Sequence, residues 1–297
     1  MTKSDPETQN SFGAAAYGGN KWRERENIHA GELGKLWSGY RITNEYAPLE
    51  AVLMHRPDIE LAASAKDAEK ALMLAPLDIT LAQEQHDGIS NCYRQNGITV
   101  HLVDPREPAR PNQMFCADLC AMTPQGAILA RPAGQVRAGE EIQVARRLAD
   151  LEIPILRTLT GNAVFEGADM MWLDAQTALI GRGHRTNQAA IEQISTTLAG
   201  IDCTVIPVDL PFGTMHFMGM MRIADKDLAF CWPRRTPFAA VDALRNHGYE
   251  VAFPPLSDDP QSYRAMNFVT LGPRKILLAA GNIGCLSSIL SRKTDPS

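Results

Sequence analysis

The chain has 297 residues, of which 45% are hydrophobic and 21% charged, with a formal net charge of −5, enough apolar mass for one large core or two small ones. Its Lys and Arg residues are scattered among acids, so no basic stripe faces a phosphate backbone and nucleic acid is excluded as a partner. Six cysteines with no CxxC pair and no HExxH motif are too sparse for a disulfide scaffold or a zinc site, so no metal is expected and a reducing cytoplasm fits best.

Residues 1–40 read as a polar N-terminal extension, flexible or loosely docked. They lack the apolar core of a signal peptide, and no later run reaches the ~18 apolar residues of a spanning helix. A cytoplasmic protein with no membrane partner is expected, its residues 41–297 forming a single catalytic domain. Order is expected from near Tyr40. The segment PLEAVLMHRP alternates and stops at a proline, as a strand closed by a turn does. LDITLAQEQHDGISNCYRQNG carries apolar residues at helical spacing up to a glycine, and the strand ITVHLV follows.

The same grammar then recurs. GAILAR, EEIQVARRLADL and PILRTL read as strand, helix and strand. DMMWL and TALIG precede the helix TNQAAIEQISTTL and the strand CTVIPV. MMRIA and DLAFCW precede PFAAVDALRNHG and EVAFPP, and MNFVTL and KILLAA close the chain. Five such strand-strand-helix-strand units, none able to bury its apolar face alone, imply a five-bladed pseudo-symmetric α/β propeller. A doubly wound sheet is the alternative, but adjacent strand pairs argue against it. No Gly-rich phosphate loop follows the first strand, so no cofactor is expected.

A ring brings equivalent positions of successive units to one axis. Asp118 in NQMFCADLC, Glu166 in VFEGADMMWLD, His216 in GTMHFMGMM and Cys285 in GNIGCLSS each lie at the edge of an apolar strand. Cys285 or His216 taken singly reads as core filler. Two acids inside apolar strands do not, because burying a carboxylate without a partner costs several kcal/mol. Together the four read as one site.

The order of NEYAPLEAVLMHRP, NQMFCAD, EGADMMWL…LIGRGHRTNQ, a strand with MH and a C-terminal GCLS resembles the guanidino-group modifying superfamily: arginine deiminases, dimethylarginine dimethylaminohydrolases and amidinotransferases. The likeness covers residues 40–290, and EGAD…IGxxxRTN is its most specific part. It implies the five-bladed propeller and a small guanidino substrate, an amino acid. It also implies a catalytic set of Cys285 as nucleophile, His216 as general acid and base, and Glu166 as the acid that receives guanidinium N–H groups. Asp118 would be the second guanidinium carboxylate. Arg137 and Arg185 would hold the substrate's own carboxylate, and Asn112, Phe115 and Met218 complete the expected substrate-binding set. Asp169 is expected to be structural, accepting local backbone N–H groups.

Where arginine deiminases carry an Asp two residues after the catalytic His, this chain has Met218. An apolar wall leaves the hydrogens of an unsubstituted guanidinium nitrogen unpaired, at a cost of about 1 to 3 kcal/mol, whereas an N-alkylated guanidine loses nothing there. The expected reaction is therefore hydrolysis of a substituted guanidine through a Cys-amidino intermediate, as in dimethylarginine dimethylaminohydrolases. Amidino transfer to an amine is the alternative, as is the deiminase or dihydrolase reaction, toward which Asn112 points. A pure binding module on the same fold is the reading from outside enzymology. Pairing of subunits is left open.

Overall fold

A computed structural model of the chain describes residues 13–255, 266–278 and 283–294. Residues 1–12 of the expected extension, and Ala279–Asn282 between KILL and the candidate thiol, lie outside the described residues. Fourteen strands form five small sheets. The first strand, β1 (Leu49–Met54), leads through a short helix α1 (Ala62–Lys66) and α2 (Ile79–Gln95) to β2 (Thr99–Leu102). The second sheet holds β3 (Cys120–Thr123), β4 (Gly126–Leu129) and, after α3 (Glu140–Asp150), β5 (Ile155–Thr158). The third holds β6 (Met170–Trp172), β7 (Thr177–Arg182) and, after α4 (Gln188–Ala199), β8 (Thr204–Asp209). The fourth holds β9 (Met221–Asp225), β10 (Leu228–Cys231) and, after α5 (Phe238–Asn246), β11 (Glu250–Ala252). β12 (Val269–Gly272) pairs with β13 (Lys275–Leu277) in a fifth, and the short α6 (Ile283–Leu286) leads into β14 (Ser288–Arg292).

Within each three-stranded sheet the first two strands are antiparallel and the third is parallel to the second. A parallel neighbour needs a long crossover, and α2, α3, α4 and α5 supply it. Two of these helices start on side-chain caps. Asp78 accepts the Leu81 N–H at 3.0 Å and Asn187 accepts that of Ala190 at 3.0 Å, each occupying an N–H that the helix itself cannot pair. Burial falls across each sheet. β3 and β4 are buried at every position, whereas β5 and β11 are buried at none. Three apolar clusters join neighbouring sheets: one spans the first three, one the third and fourth, one the first and fifth. Side chains such as Trp172 and Phe165, fully enclosed there, contribute about 1.5 to 3 kcal/mol each.

Two boundaries differ from the sequence expectation. The C-terminal GCLSSILSR does not end at the thiol. It continues as β14, which pairs antiparallel with β1 and so completes the first sheet with the last strand of the chain. The fifth unit is a strand pair without helix or third strand among the described residues. Order also begins before Tyr40. His29 donates to the Gln125 carbonyl at 2.9 Å, the Ser38 N–H donates to Glu152 at 3.0 Å, and Glu32 is buried, so this part of the extension docks beside the second sheet. No helix among the described residues is long and apolar enough to cross a membrane.

Candidate active site

Four of the five sheets are entered in the same manner. A single turn, Cys116–Asp118, precedes β3; Glu166 and the turn Gly167–Asp169 precede β6; His216 and the turn Phe217–Gly219 precede β9; Cys285 lies in α6, immediately before β14. The four residues proposed from the sequence therefore occupy equivalent places at the mouths of four buried first strands.

The EGAD stretch shows why its composition is so restricted. A Cβ at Gly167 would collide with the carbonyl oxygens of Cys120 and Ala117, so the close approach of the third sheet to the second admits only glycine. Asp169 is fully buried and accepts from the Thr186 hydroxyl at 2.6 Å and the Phe217 N–H at 2.9 Å. Asp169 bonds within the protein rather than facing an open site, but its donors are a hydroxyl and an N–H 48 residues away instead of the local backbone groups expected, and the bond to Phe217 ties the His216 turn to the Glu166 turn. Asn187 of RTN accepts the Val164 N–H and donates to the Asn162 carbonyl besides capping α4. The motif is thus a clamp that holds Glu166 in place.

Glu166 is completely enclosed. Its Oε1 accepts the Ala133 N–H at 3.2 Å and Arg185 Nη1 at 3.3 Å. Its Oε2 accepts His216 Nε2 at 2.6 Å and Arg137 Nη1 at 3.4 Å. Asp118 Oδ2 accepts Arg137 Nη1 at 2.6 Å. Asp118 Oδ1 is buried with no hydrogen-bond donor among the described residues and lies 3.6 Å from His216 Nε2. His216 Nε2 and one oxygen from each acid fall within 4.8 Å of one another, a spacing that suits a cation. Arg137 Nη1, 2.6 Å from one acid and 3.4 Å from the other, already supplies positive charge at that point.

Arg137 is therefore corrected. The sequence reading put it at the substrate's carboxylate, but it is buried against Asp118 and Glu166, its Nε donates to Glu140 Oε2 at 2.9 Å, and its guanidinium faces the Phe115 ring at 6.0 Å. Three acids surround it, with Nε and Nη1 hydrogen-bonded and Nη2 2.8 Å from Glu140 Oε2, because a buried guanidinium must be paired with opposite charge. Phe115 accordingly packs on Arg137. Glu140, fully buried, was missed; its signal was the Arg-x-x-Glu spacing of RAGE. Arg185 keeps a partly open side chain, 15% accessible, at the rim of Glu166. Asn112 is buried and donates to the Ala71 carbonyl at 2.7 Å, anchoring the loop before α2. Met218 is half-buried and lines a cavity with Glu45, Met171 and Arg222. The Cys285 thiol accepts the Asn267 amide at 3.0 Å, another residue the sequence reading missed.

The protonation states follow from these neighbours. Burial works to lower the His216 pKa, but the Asp118 charge and the Glu166 hydrogen bond overcome it and hold the imidazolium up to about 9. Burial works to raise Glu166, yet the bond from His216 and the nearby guanidinium groups bring it down to about 2. Burial pushes Cys285 up to about 11, with Asp118 adding to the rise and Asn267 and Arg222 opposing it. Burial also lifts Glu140 to about 7 against the pull of Arg137. The site holds a charged His–Glu pair, and the Cys285 thiol, which feels the Asp118 charge, is protonated.

Comparison with known proteins places this arrangement. The chain is 26% identical over 164 residues to the N(G),N(G)-dimethylarginine dimethylaminohydrolase of Streptomyces coelicolor, a match covering 54% of this chain and 60% of that protein. The matches to this and further curated relatives span 40% to 60% of their length. Among solved structures, the dimethylarginine dimethylaminohydrolase of Pseudomonas aeruginosa, a Cys-to-Ser mutant complexed with citrulline, superposes with a TM-score of 0.65 at 18% identity, covering 79% of this chain and 86% of that one. An amidinotransferase of the saxitoxin biosynthetic pathway from Microseira wollei superposes with a TM-score of 0.69 at 12% identity, covering 88% and 99%. At these identities the structural likeness is one of fold. The sequence model of the family N,N dimethylarginine dimethylhydrolase, eukaryotic, matches residues 75–232, more than half the chain and a stretch that contains Asp118, Glu166 and His216 but ends before Cys285; the chain belongs to that family.

Proposed function

We propose that residues 41–297 form one five-bladed α/β propeller whose axis holds a hydrolase site for substituted guanidines, with Cys285 as nucleophile. The five sheets, their common burial gradient and the return of β14 to β1 support the ring. The observation that carries the chemistry is Asp118 Oδ1: a buried carboxylate oxygen without a donor, beside His216 and electrostatically coupled to Cys285. A buried acceptor left unpaired costs about 1 to 3 kcal/mol, and a planar cation with N–H groups relieves that cost.

The guanidinium carbon shares its charge over three nitrogens and is a poor electrophile, so the carboxylates fix and localise that charge before attack. The cation also favours the thiolate, which forms on substrate binding, its proton released to solvent, rather than in the free site. The Cys285 sulfur attacks the central carbon. His216, already protonated, gives its proton to the departing amine. The amidino-thioether left on sulfur is hydrolysed by a water whose proton His216 takes, releasing a ureido product and returning the thiol. Arg185, at the open rim, takes the substrate's carboxylate, and the absence of a carboxylate two residues after His216 favours N-alkylated guanidines over free arginine. The P. aeruginosa complex with citrulline, a ureido amino acid, supports this product class.

Assay of arginine, methylated arginines, agmatine and guanidino acids for ureido product and released amine tests the reading. Methylarginines are expected to react faster than arginine, and inertness toward all of them overturns it. The likeness to an amidinotransferase over 88% of the chain favours amidino transfer as a second reading; a new guanidino compound appearing only when glycine or lysine is supplied as acceptor decides for it.

A further inference from the structure

Four sheets present Asp118, Glu166, His216 and Cys285 at the turn before the first strand. The fifth has a counterpart. Asn267 stands two residues before β12, and its amide does two things at once: Nδ2 donates to Cys285 Sγ at 3.0 Å and Oδ1 accepts the Gly284 N–H at 2.6 Å. One side chain thus grips both the thiol and the backbone that carries it. On the same side of Gly284 as the Asn267 oxygen lies Arg222, from β9. A Cβ at Gly284 would collide with Arg222 Nη2 and stand 2.7 Å from Asn267 Oδ1, so the guanidinium is pressed directly against the backbone preceding the sulfur. Arg222 Nη2 is buried without a hydrogen-bond partner among the described residues, and its Nε makes only a long bond, 3.4 Å, to the Met266 carbonyl.

The charges around it leave a surplus. Arg222 and Arg292 line one cavity with Glu45 and Ser287. Arg292 is buried and donates to the Ala47 carbonyl at 2.7 Å, while Glu45 accepts the Trp172 N–H at 3.0 Å. Two cations face one acid, and among the described residues Cys285 is the further group near Arg222 that can carry a negative charge, its backbone neighbour Gly284 lying against the guanidinium, with Tyr93 having a weaker influence. The charged groups facing Cys285 are Asp118 from the second sheet, which opposes a thiolate, and Arg222 and Arg137, which favour one. Arg137 is committed to three acids; Arg222 is not.

Resting on the assignment of Cys285 as nucleophile, we propose that Arg222 is a positioning residue for the reaction: a resident cation that offsets Asp118 and stabilises the Cys285 thiolate, while Asn267 fixes where the sulfur points. The substrate guanidinium then supplies the second positive charge rather than the first. A buried charge without a carboxylate bonded to it among the described residues is costly, and its placement against the backbone preceding Cys285 gives that cost a purpose.

Alkylation of Cys285 by iodoacetamide, followed by mass spectrometry of its peptide as a function of pH, tests this without any substrate, so the result is independent of whether guanidines are turned over. In folded Arg222→Gln the pH midpoint of alkylation is expected to rise by about one unit, a tenfold slower reaction at a fixed pH below it. Arg222→Lys is expected to restore most of the difference. An unchanged midpoint in Arg222→Gln overturns the proposal, as does an equal shift in Arg222→Lys, which would mean that shape and not charge is what matters. Should Arg222→Gln not fold, Arg222→Met, which keeps the packing of the stem, carries the same test.

Discussion

The two halves of the site are built on opposite plans. Around Glu166, every oxygen is bound: Ala133 and Arg185 hold one, His216 and Arg137 the other, and Arg137 in turn is held by Asp118 and Glu140. Around Cys285, one amide among the described residues touches the sulfur and a guanidinium leans on the backbone of Gly284 before it. The first half is rigid because breaking any pair would strand a buried charge. The second can change state, since a thiol goes between neutral and charged at little structural cost. Under the proposed function, a carboxylate frame fixed in advance, with Asp118 Oδ1 buried and unpaired among the described residues, set against a thiol that can ionise, is what attack on a weak electrophile requires.

Removing the switch itself has the largest expected effect. Cys285→Ser is expected to lower turnover by at least about a thousandfold while leaving the thermal melt within a degree or two, because a hydroxyl is a far weaker nucleophile of nearly the same size; retained turnover in steady-state assays would place the chemistry elsewhere. The rigid half should break differently. Arg137→Leu is expected to cost about 3 to 5 kcal/mol in urea denaturation by leaving three carboxylates without their cation, and a loss below about 1 kcal/mol would show that those acids are neutral.

The His216–Glu166 pair predicts a smaller effect with a defined sign. The folded His216 pKa lies above its usual 6.5, at about 9, so its contribution is full below 6.5 and is lost as pH rises through 9. The folded Glu166 pKa lies below its usual 4.5, at about 2, so its contribution is present above 4.5 and is lost as pH falls toward 2. The stability difference between the wild type and His216→Gln is therefore expected to be greatest between pH 4.5 and 6.5 and to shrink above 9. Calorimetric melts across that range check it, and a difference that grows with alkalinity contradicts the assignment. The smallest effect belongs to the rim. Arg185→Ala is expected to raise KM about tenfold for a guanidino amino acid and to leave a guanidine without a carboxylate, such as agmatine, nearly unaffected, about 1.4 kcal/mol of selective binding.

Much of the site was legible from acids in apolar company. Asp118 and Glu166 stood out because a carboxylate within a buried strand needs a partner, and the structure supplies Arg137 and His216. Arg137 itself was misread, since an arginine before a helix looks the same in sequence whether it faces a ligand or three acids. Glu140 escaped notice because GEE at a helix start is the common arrangement of acids near an N-terminus. Asn267 and Arg222 were invisible for a different reason: neither has a motif, and each matters only because β9, β12 and α6 meet at one point.

Periodicity determined most of the strand and helix order of this protein, though not β3 or β14, because burial of one face imposes a period of 2 or 3.6 that a single segment records. Composition alone determined which acids could not be bystanders. Only the tertiary structure decided that the last strand completes the first sheet and which of the arginines is spoken for. It alone decided which side chains surround the thiol. Those outcomes depend on contacts between residues as far apart as Glu45, Arg222 and Cys285, whose juxtaposition exists only once the chain has closed upon itself.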